Sequence, residues 1–354
     1  MVAVDKRSRI EHFKASNGAE IFRLPVEVFV GYIGYVHLVV FEGWLTLVDT
    51  GSGYGCSHED LLQGLEQVGD SFGIPARLEE MHNIIITHGH IDHFGGLFAA
   101  KQHAPQARVA AHALTRPVLI NFDERVLITR TAMEDFLSEA GVPAERRSRL
   151  LDLYMLGKRI FKPMPVDVTL HDGMLFDGCF HVIHVPGHAP GLIMLGIGDV
   201  LLTADHILPD TSVALAPESI MPYTGVGHYL QSLAKAQQVE GIRVALGGHG
   251  WPMDDYYGIV ERTWESAVAK IEQVFGLCRT PRTIYEIATE VYGPMDGYEE
   301  LLKIEQTGAR VEYLNLRGLV MVDNLSALEE QHSPPRRYRC LDSATGVRDM
   351  ILTG

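Results

Sequence analysis

In the first 250 residues, apolar positions fall into short β-type runs separated by helical periods; beyond them the helical periods dominate. The runs 21–24, 36–41 and 44–48 are rich in β-branched and aromatic residues and predict strands, with Glu42-Gly43 turning a hairpin between the last two. Over 58–72, Leu61, Leu62, Leu65 and Val68 recur at helical spacing. Ile84-Ile85-Ile86 predicts a buried strand, followed by a polar turn, Gly95-Gly96 and a helix opening at Leu97. Residues 108–111 predict another strand. Residues 113–162 carry a helical pattern rich in both charges and broken at Pro143, which reads either as a lid over a site or as a solvated helical pair. Strands return at 168–170, 180–185, 193–195, 200–203 and 244–246, with a helix over 229–238. This alternation places the chain in the α/β or mixed class.

After Asp255 the pattern changes. Helical periods over 258–278, 283–292 and 298–310 precede the segment 316–322, whose central Gly318 suggests a short hairpin. Three helices and a hairpin outline a small winged-helix-like unit. The expected organisation is a domain over 1–255 with a helical insertion at 113–162, a second over 256–325, and a C-terminal tail over 326–354.

Composition narrows the function. A chain of 354 residues, 46% hydrophobic, can bury a large core in more than one domain. Lys and Arg number 30 against 45 Asp and Glu, a net charge of −15, which repels polyanions and weighs against nucleic acid. Cys56, Cys179, Cys278 and Cys340 are dispersed and form no CxxC pair, the usage of reduced thiols. Residues 1–13 lack the apolar centre of a signal peptide, and Glu27, His37, Glu42 and several glycines break the most apolar stretch. A cytoplasmic protein with no membrane contact is expected.

The candidate chemistry lies at strand ends. Within 82–96, His88, His90, Asp92 and His93 put four metal-competent side chains into six positions. His188, Asp205 and His249 also follow strand-like runs and are flanked by small or turn-forming residues. Asp49 ends another, where it either bonds its own turn or reaches into a site. Imidazole and carboxylate suit a borderline divalent ion such as zinc. Five histidines and two aspartates exceed one tetrahedral shell. They suit two ions roughly 3.5–4 Å apart, with one carboxylate bridging. The spacing His-x-His-x-Asp-His also differs from the i, i+4 pair of a helical zinc motif, so it needs a turn. His12, His58, His103, His171 and His332 read as ordinary surface or core residues, and His181 and His184 as strand residues.

These motifs resemble those of the metallo-β-lactamase-fold hydrolases. Thr87-His88-Gly89-His90-Ile91-Asp92-His93 is similar to the family signature. Leu47-Val48-Asp49-Thr50-Gly51, Pro186-Gly187-His188, Asp205 and Gly248-His249-Gly250 correspond to its other motifs in order, over about residues 20–255. The resemblance implies an αββα sandwich with a small C-terminal helical domain. It implies one ion on His88, His90 and His188, another on Asp92, His93 and His249, and Asp205 and a hydroxide bridging them. Asp49 and His206 would support the ligands from behind, and Asp92 and His93 would take part in catalysis. Zinc is the expected metal, with iron or manganese as alternatives. A flavodiiron relative would carry Glu in place of His90. The implied reaction is hydrolysis of a small ester-like substrate, a thioester or lactone. The alternatives are endoribonuclease action on single-stranded RNA, β-lactam hydrolysis, and an iron-type redox role. The C-terminal helices resemble those of a winged-helix-bearing subgroup that includes thioesterases and a ribonuclease. There Arg310, Arg317, Arg336 and Arg337 would contact phosphates, whereas a capping or homodimer role needs no nucleic acid.

Overall fold

The strand that begins at Glu20, buried on both faces, sets the architecture. The structure is a computed structural model and describes residues 10–156, 161–210, 212–330, 334–341 and 348. His332 and residues 1–9, part of the segment read as lacking a signal peptide, lie outside the described residues. Strands β1 (Glu11–Lys14), β2 (Glu20–Phe29), β3 (Tyr32–Phe41) and β4 (Trp44–Val48) form an antiparallel meander. Strands β5 (Asn83–Ile86), β6 (Arg108–His112) and β7 (Val168–Leu170) then add in parallel, completing one sheet in chain order. The second sheet runs β12-β11-β10-β9-β8, from β8 (Leu175–Phe176), β9 (Phe180–His184), β10 (Ile193–Ile197), β11 (Val200–Ala204) and β12 (Val244–Gly247). Within it β11 and β12 pair in parallel and the others antiparallel.

The two sheets meet through alternate positions. Ile21, Val39, Val48, Ile85 and Ala110 from the first pack with Val182, Ile193, Leu195, Leu202 and Leu246 from the second. Each large aliphatic buried this way contributes about 1.5–3 kcal/mol. The opposite face of β2 takes helix α1 (Ser57–Phe72), whose Leu61, Leu65 and Val68 are buried and whose Gly64 faces Leu24. Helices α2 (Ile91–Phe94), α3 (Leu97–His103) and α4 (Arg116–Ile120) follow the parallel strands. The result is the αββα sandwich. At one edge the Ile193 N–H donates to Thr87 O at 3.1 Å, pinning the sheets together where the parallel strands end.

The chain forms two compact units. The first comprises residues up to 122 together with 161–213 and 235–260, and it holds both sheets. The second gathers 123–160, 214–234 and residues from 261 onward. The segment 113–162 is thus divided, and most of it belongs with the C-terminal helices. The remaining helices are α5 (Phe122–Glu139), α6 (Ala144–Met155), α7 (Val226–Gln237), α8 (Tyr256–Leu277), α9 (Ile284–Tyr292), α10 (Gly297–Leu316) and α11 (Leu325–Glu330). A capping box opens α9: the Glu286 N–H donates to Thr283 Oγ1 (3.2 Å) and the Thr283 N–H to Glu286 Oε2 (2.9 Å).

The expected hairpin at 316–322 is not formed. Helix α10 continues through Leu316, and Gly318, at φ 67°, ends it with its N–H on Asn315 O. Strand β13 (Val320–Val322) pairs instead with β14 (Tyr338–Cys340), from the segment expected as a tail. Partners 16 to 20 positions away in register, as from Val322 to Tyr338 and from Val320 to Cys340, leave no local turn signal to read.

Candidate metal centre

The signature motif occupies the turn after β5. His90 precedes α2 in extended conformation (φ −90°, ψ 145°), and Asp92 and His93 lie in that single helical turn. A Cβ on Gly96 would collide with Thr50 O, so glycine lets this turn lie directly on the loop after β4. There the Thr50 N–H and hydroxyl both donate to His93 O, at 2.8 and 3.0 Å.

All seven side chains singled out as ligands converge here, in two groups whose donor atoms lie within 4.8 Å of one another. One group is His88, His90 and His188; the other is Asp92, His93, Asp205 and His249. In the first, His88 Nε2 faces His90 Nδ1 at 3.1 Å, and the His90 and His188 rings stand perpendicular, 4.4 Å apart. In the second, Asp92 Oδ2 lies 3.2 Å from His249 Nε2. Asp205 Oδ2 stands between the groups, 3.4 Å from His93 Nε2, 3.5 Å from His249 Nε2 and 3.8 Å from His188 Nε2.

A buried carboxylate supports both groups. Asp49, at φ 64°, accepts the Thr87 N–H on Oδ1 and the Thr87 hydroxyl on Oδ2, each at 2.8 Å. The same Oδ2 accepts His93 Nδ1–H at 2.8 Å, and Thr87 Oγ1 in turn lies 3.1 Å from His88 Nδ1. Of the two readings of Asp49, the one that reaches into the site is the one observed. His249 donates Nδ1–H to Ile33 O at 3.0 Å. Such partners fix the tautomer and point the Nε2 lone pair inward.

Asp205 owes its aim to backbone irregularity. Ala204 adopts φ 46° at a register shift in β11, and its carbonyl accepts the Gly248 N–H at 2.9 Å. A Cβ on Gly248 would strike Asp205 Oδ1 and His93 Cε1, so that strand end must be glycine. His206, next to Asp205 in sequence, is fully buried.

The two groups differ electrically. Burial, reinforced by neighbouring imidazoles, pushes His88 far below its ordinary pKa and His90 down to about 3. These rings are neutral and offer lone pairs. Burial opposes charge on His93 too, but Asp205, Asp49 and Asp92 overcome it and raise its pKa well above normal. Burial opposes charge on the carboxylates as well; His93 nevertheless holds Asp205 well below the usual range and Asp92 at about 2. His93 Nε2 and Asp205 Oδ1 are buried with no hydrogen-bond partner among the described residues. Converging nitrogen and carboxylate donors with buried, unpartnered atoms suit a divalent cation, which would take the place of the proton that the carboxylates otherwise hold on His93.

Sequence reasoning missed three contributors: the Thr87 hydroxyl, the Ile33 carbonyl and Tyr32. Tyr32 lies at the β2–β3 tip, half exposed beside exposed Phe29 and Val30. Its ring sits 4.7 Å from the His249 ring. Burial, then Asp205 and Asp92, push its hydroxyl up to about 12. The available signal was Gly31 between Val30 and Tyr32, which marks a turn but not its direction.

The profile of the metallo-beta-lactamase superfamily matches residues 30–249, more than half of the chain and every one of the seven side chains above. The chain belongs to the metallo-β-lactamase superfamily. It is accordingly a metal-dependent hydrolase of that superfamily, with the His/Asp cluster as its candidate metal site. A metallo-beta-lactamase family protein from Thermus thermophilus superposes with a TM-score of 0.70 at 23% identity, over 91% of this chain and 98% of its own. A beta-lactamase domain protein from Burkholderia ambifaria gives a TM-score of 0.71 at 20% identity, over 94% of each chain. Both share the fold across nearly the whole length, C-terminal helices included. No curated protein matches by sequence. Among the described residues, no helix of this metallo-β-lactamase-superfamily protein is long and apolar enough to cross a membrane.

Proposed function

We propose that the protein is a dinuclear hydrolase of a small ester-like substrate, a thioester or lactone. The observation that carries this reading is Asp205 Oδ2, which stands within 3.4–3.8 Å of imidazoles from both donor groups. His88, His90 and His188 would hold one ion, Asp92, His93 and His249 the other, and Asp205 would touch both. Zinc suits this nitrogen-rich set. Bound ions would supply Lewis acidity, activating water and polarising the scissile carbonyl.

The chain's own groups do the rest. Asp92, kept ionised by His93 and His249, accepts a hydrogen bond from the attacking water and orients it. His93 is locked in place by Asp49 and Thr50. His206, buried and adjacent to Asp205 in sequence, would support it. Tyr32 stays protonated at neutral pH and donates to the carbonyl oxygen as charge develops there. The exposed apolar side chains of Phe29 and Val30 offer contact to an acyl group.

The RNA reading has less support. The net charge is −15. Arg310 is buried, Arg337 pairs with Glu286 at 3.0 Å, Arg336 pairs with Glu139, and Arg317 lies 3.9 Å over the Tyr313 ring. These four are engaged within their own unit and do not form a free basic strip.

The test is turnover by zinc-loaded protein across S-acyl thioesters, lactones, a β-lactam and labelled single-stranded RNA. Hydrolysis of a thioester or lactone, lost on chelation and restored by zinc, is expected. Cleavage of RNA alone, or no turnover in the first two panels, would overturn the reading.

A further inference from the structure

Arg23 is among the most deeply buried side chains of the protein, at 1% exposure, and it lies between the sheets rather than at the surface. In register it sits beside His37 on β3, which sits beside Val48 on β4, so the row ends one residue from Asp49. A guanidinium is a poor filler for an apolar layer, and its Nε has no hydrogen-bond partner among the described residues. Its other nitrogens are committed: one donates to Gly250 O at 2.6 Å and the other to Glu11 Oε2 at 2.7 Å. Its plane lies 3.2 Å over the Tyr35 ring.

Gly250 directly follows His249. On the other side of His249, Gly248 O accepts the Tyr35 N–H at 2.9 Å. The imidazole itself is held through Nδ1 by Ile33 O. Three contacts from β2 and β3 therefore fix the loop 248–250, and Arg23 makes the one that uses a charged side chain. A charge-assisted bond to a carbonyl is stronger and more directional than a neutral one. Among the described residues, the hydrogen bonds, ion pair and ring contact of Arg23 run to Gly250, Glu11 and Tyr35, and none reaches the loops that carry His88, His90 or His188.

We propose that Arg23 is a positioning residue for His249: it clamps the loop through Gly250 and so sets how tightly the Asp92–His93–His249 half of the centre holds its ion. Glu11 orients the clamp from the rim of the first sheet, and Tyr35 sets its plane. This inference rests on the two-ion reading above. It separates the halves: loss of the clamp weakens one ion and spares the other.

The experiment is a competitive zinc titration against a chromophoric chelator on the full chain, comparing wild type with Arg23→Met, Arg23→Lys and Glu11→Gln. Two equivalents are expected for wild type. Arg23→Met, which keeps bulk without the charge, should keep the tighter equivalent and bind the other at least 10-fold more weakly, with Arg23→Lys between. Glu11 is only half-buried, so Glu11→Gln tests the same clamp if Arg23→Met does not fold; a selective loss of about 3-fold is expected. Unchanged affinity for both ions in every folded variant, or parallel loss of both, would overturn the proposal. A wild-type chain that binds fewer than two ions would overturn the two-ion reading and this inference with it.

Discussion

Asp49 Oδ2 lies 2.8 Å from His93 Nδ1 and 2.8 Å from the Thr87 hydroxyl, so one buried carboxylate serves both halves of the centre. Direct contact orients His93; the Thr87 hydroxyl passes the orientation to His88. Asp49→Asn keeps the shape but removes the charge and can turn a donor toward His93. Zinc affinity should fall about 10–100-fold at both positions, the range for such outer partners. Isothermal titration of folded protein measures it, and an effect confined to one equivalent would contradict the shared role.

Asp205 makes a different prediction from His90. Asp205→Asn should lower the affinity for both ions, because Oδ2 faces both donor groups. His90→Ala should remove one equivalent and leave the second. Metal content after gel filtration, by plasma emission, distinguishes the two patterns.

Tyr32 can be tested apart from metal binding. Tyr32→Phe retains the ring against His249 and loses the hydroxyl. We expect kcat/KM to fall about 10-fold or more, below the roughly 10²–10³-fold of a fully buried oxyanion donor because Tyr32 is half exposed, with the loss in kcat and unchanged zinc stoichiometry. A purely packing role for Tyr32 would leave kcat unaltered.

His112 supplies a pH signature away from the ligands. Burial, and then the stacked His184 ring 3.9 Å away, lower its pKa to about 4, and its Nδ1 accepts the Leu114 N–H. The unfolded chain binds this proton near pH 6.5, so the neutral folded form is favoured above that pH. Stability from this group is complete above about 6.5 and is lost as pH falls toward 4. Thermal melts of metal-free His112→Gln should show a shallower acid limb over that interval than wild type.

Much of this was legible in the chain. The four signature residues and the three later ones stood out because each followed a β-type run and a glycine or small-residue turn, and their spacing excluded a helical zinc motif. Strand ends are readable when periodicity stops abruptly, as at Val48 and Ile86. What escaped was whatever depends on contacts between distant segments. The pairing of β13 with β14 has no turn to announce it. Tyr32 reads as an ordinary hairpin aromatic until its ring is seen on His249. Arg23 sits in a strand with apolar neighbours on both faces, so nothing local marks which way it points or says that a cation would be tolerated there. The division of 113–162 was equally hidden, since helical period says nothing about which partner a helix chooses.

The donors of the centre are drawn from strand ends between Asp49 and His249, on both sheets. Neither donor group is complete until the meander, the parallel strands and the second sheet have all been laid down, because His188 in one group and Asp205 and His249 in the other come from later strand ends than the signature turn. Contacts of such sequence separation form late and slowly. Stable retention of an ion would then wait for the finished sandwich, since His88 and His90 alone would offer too few donors to hold one.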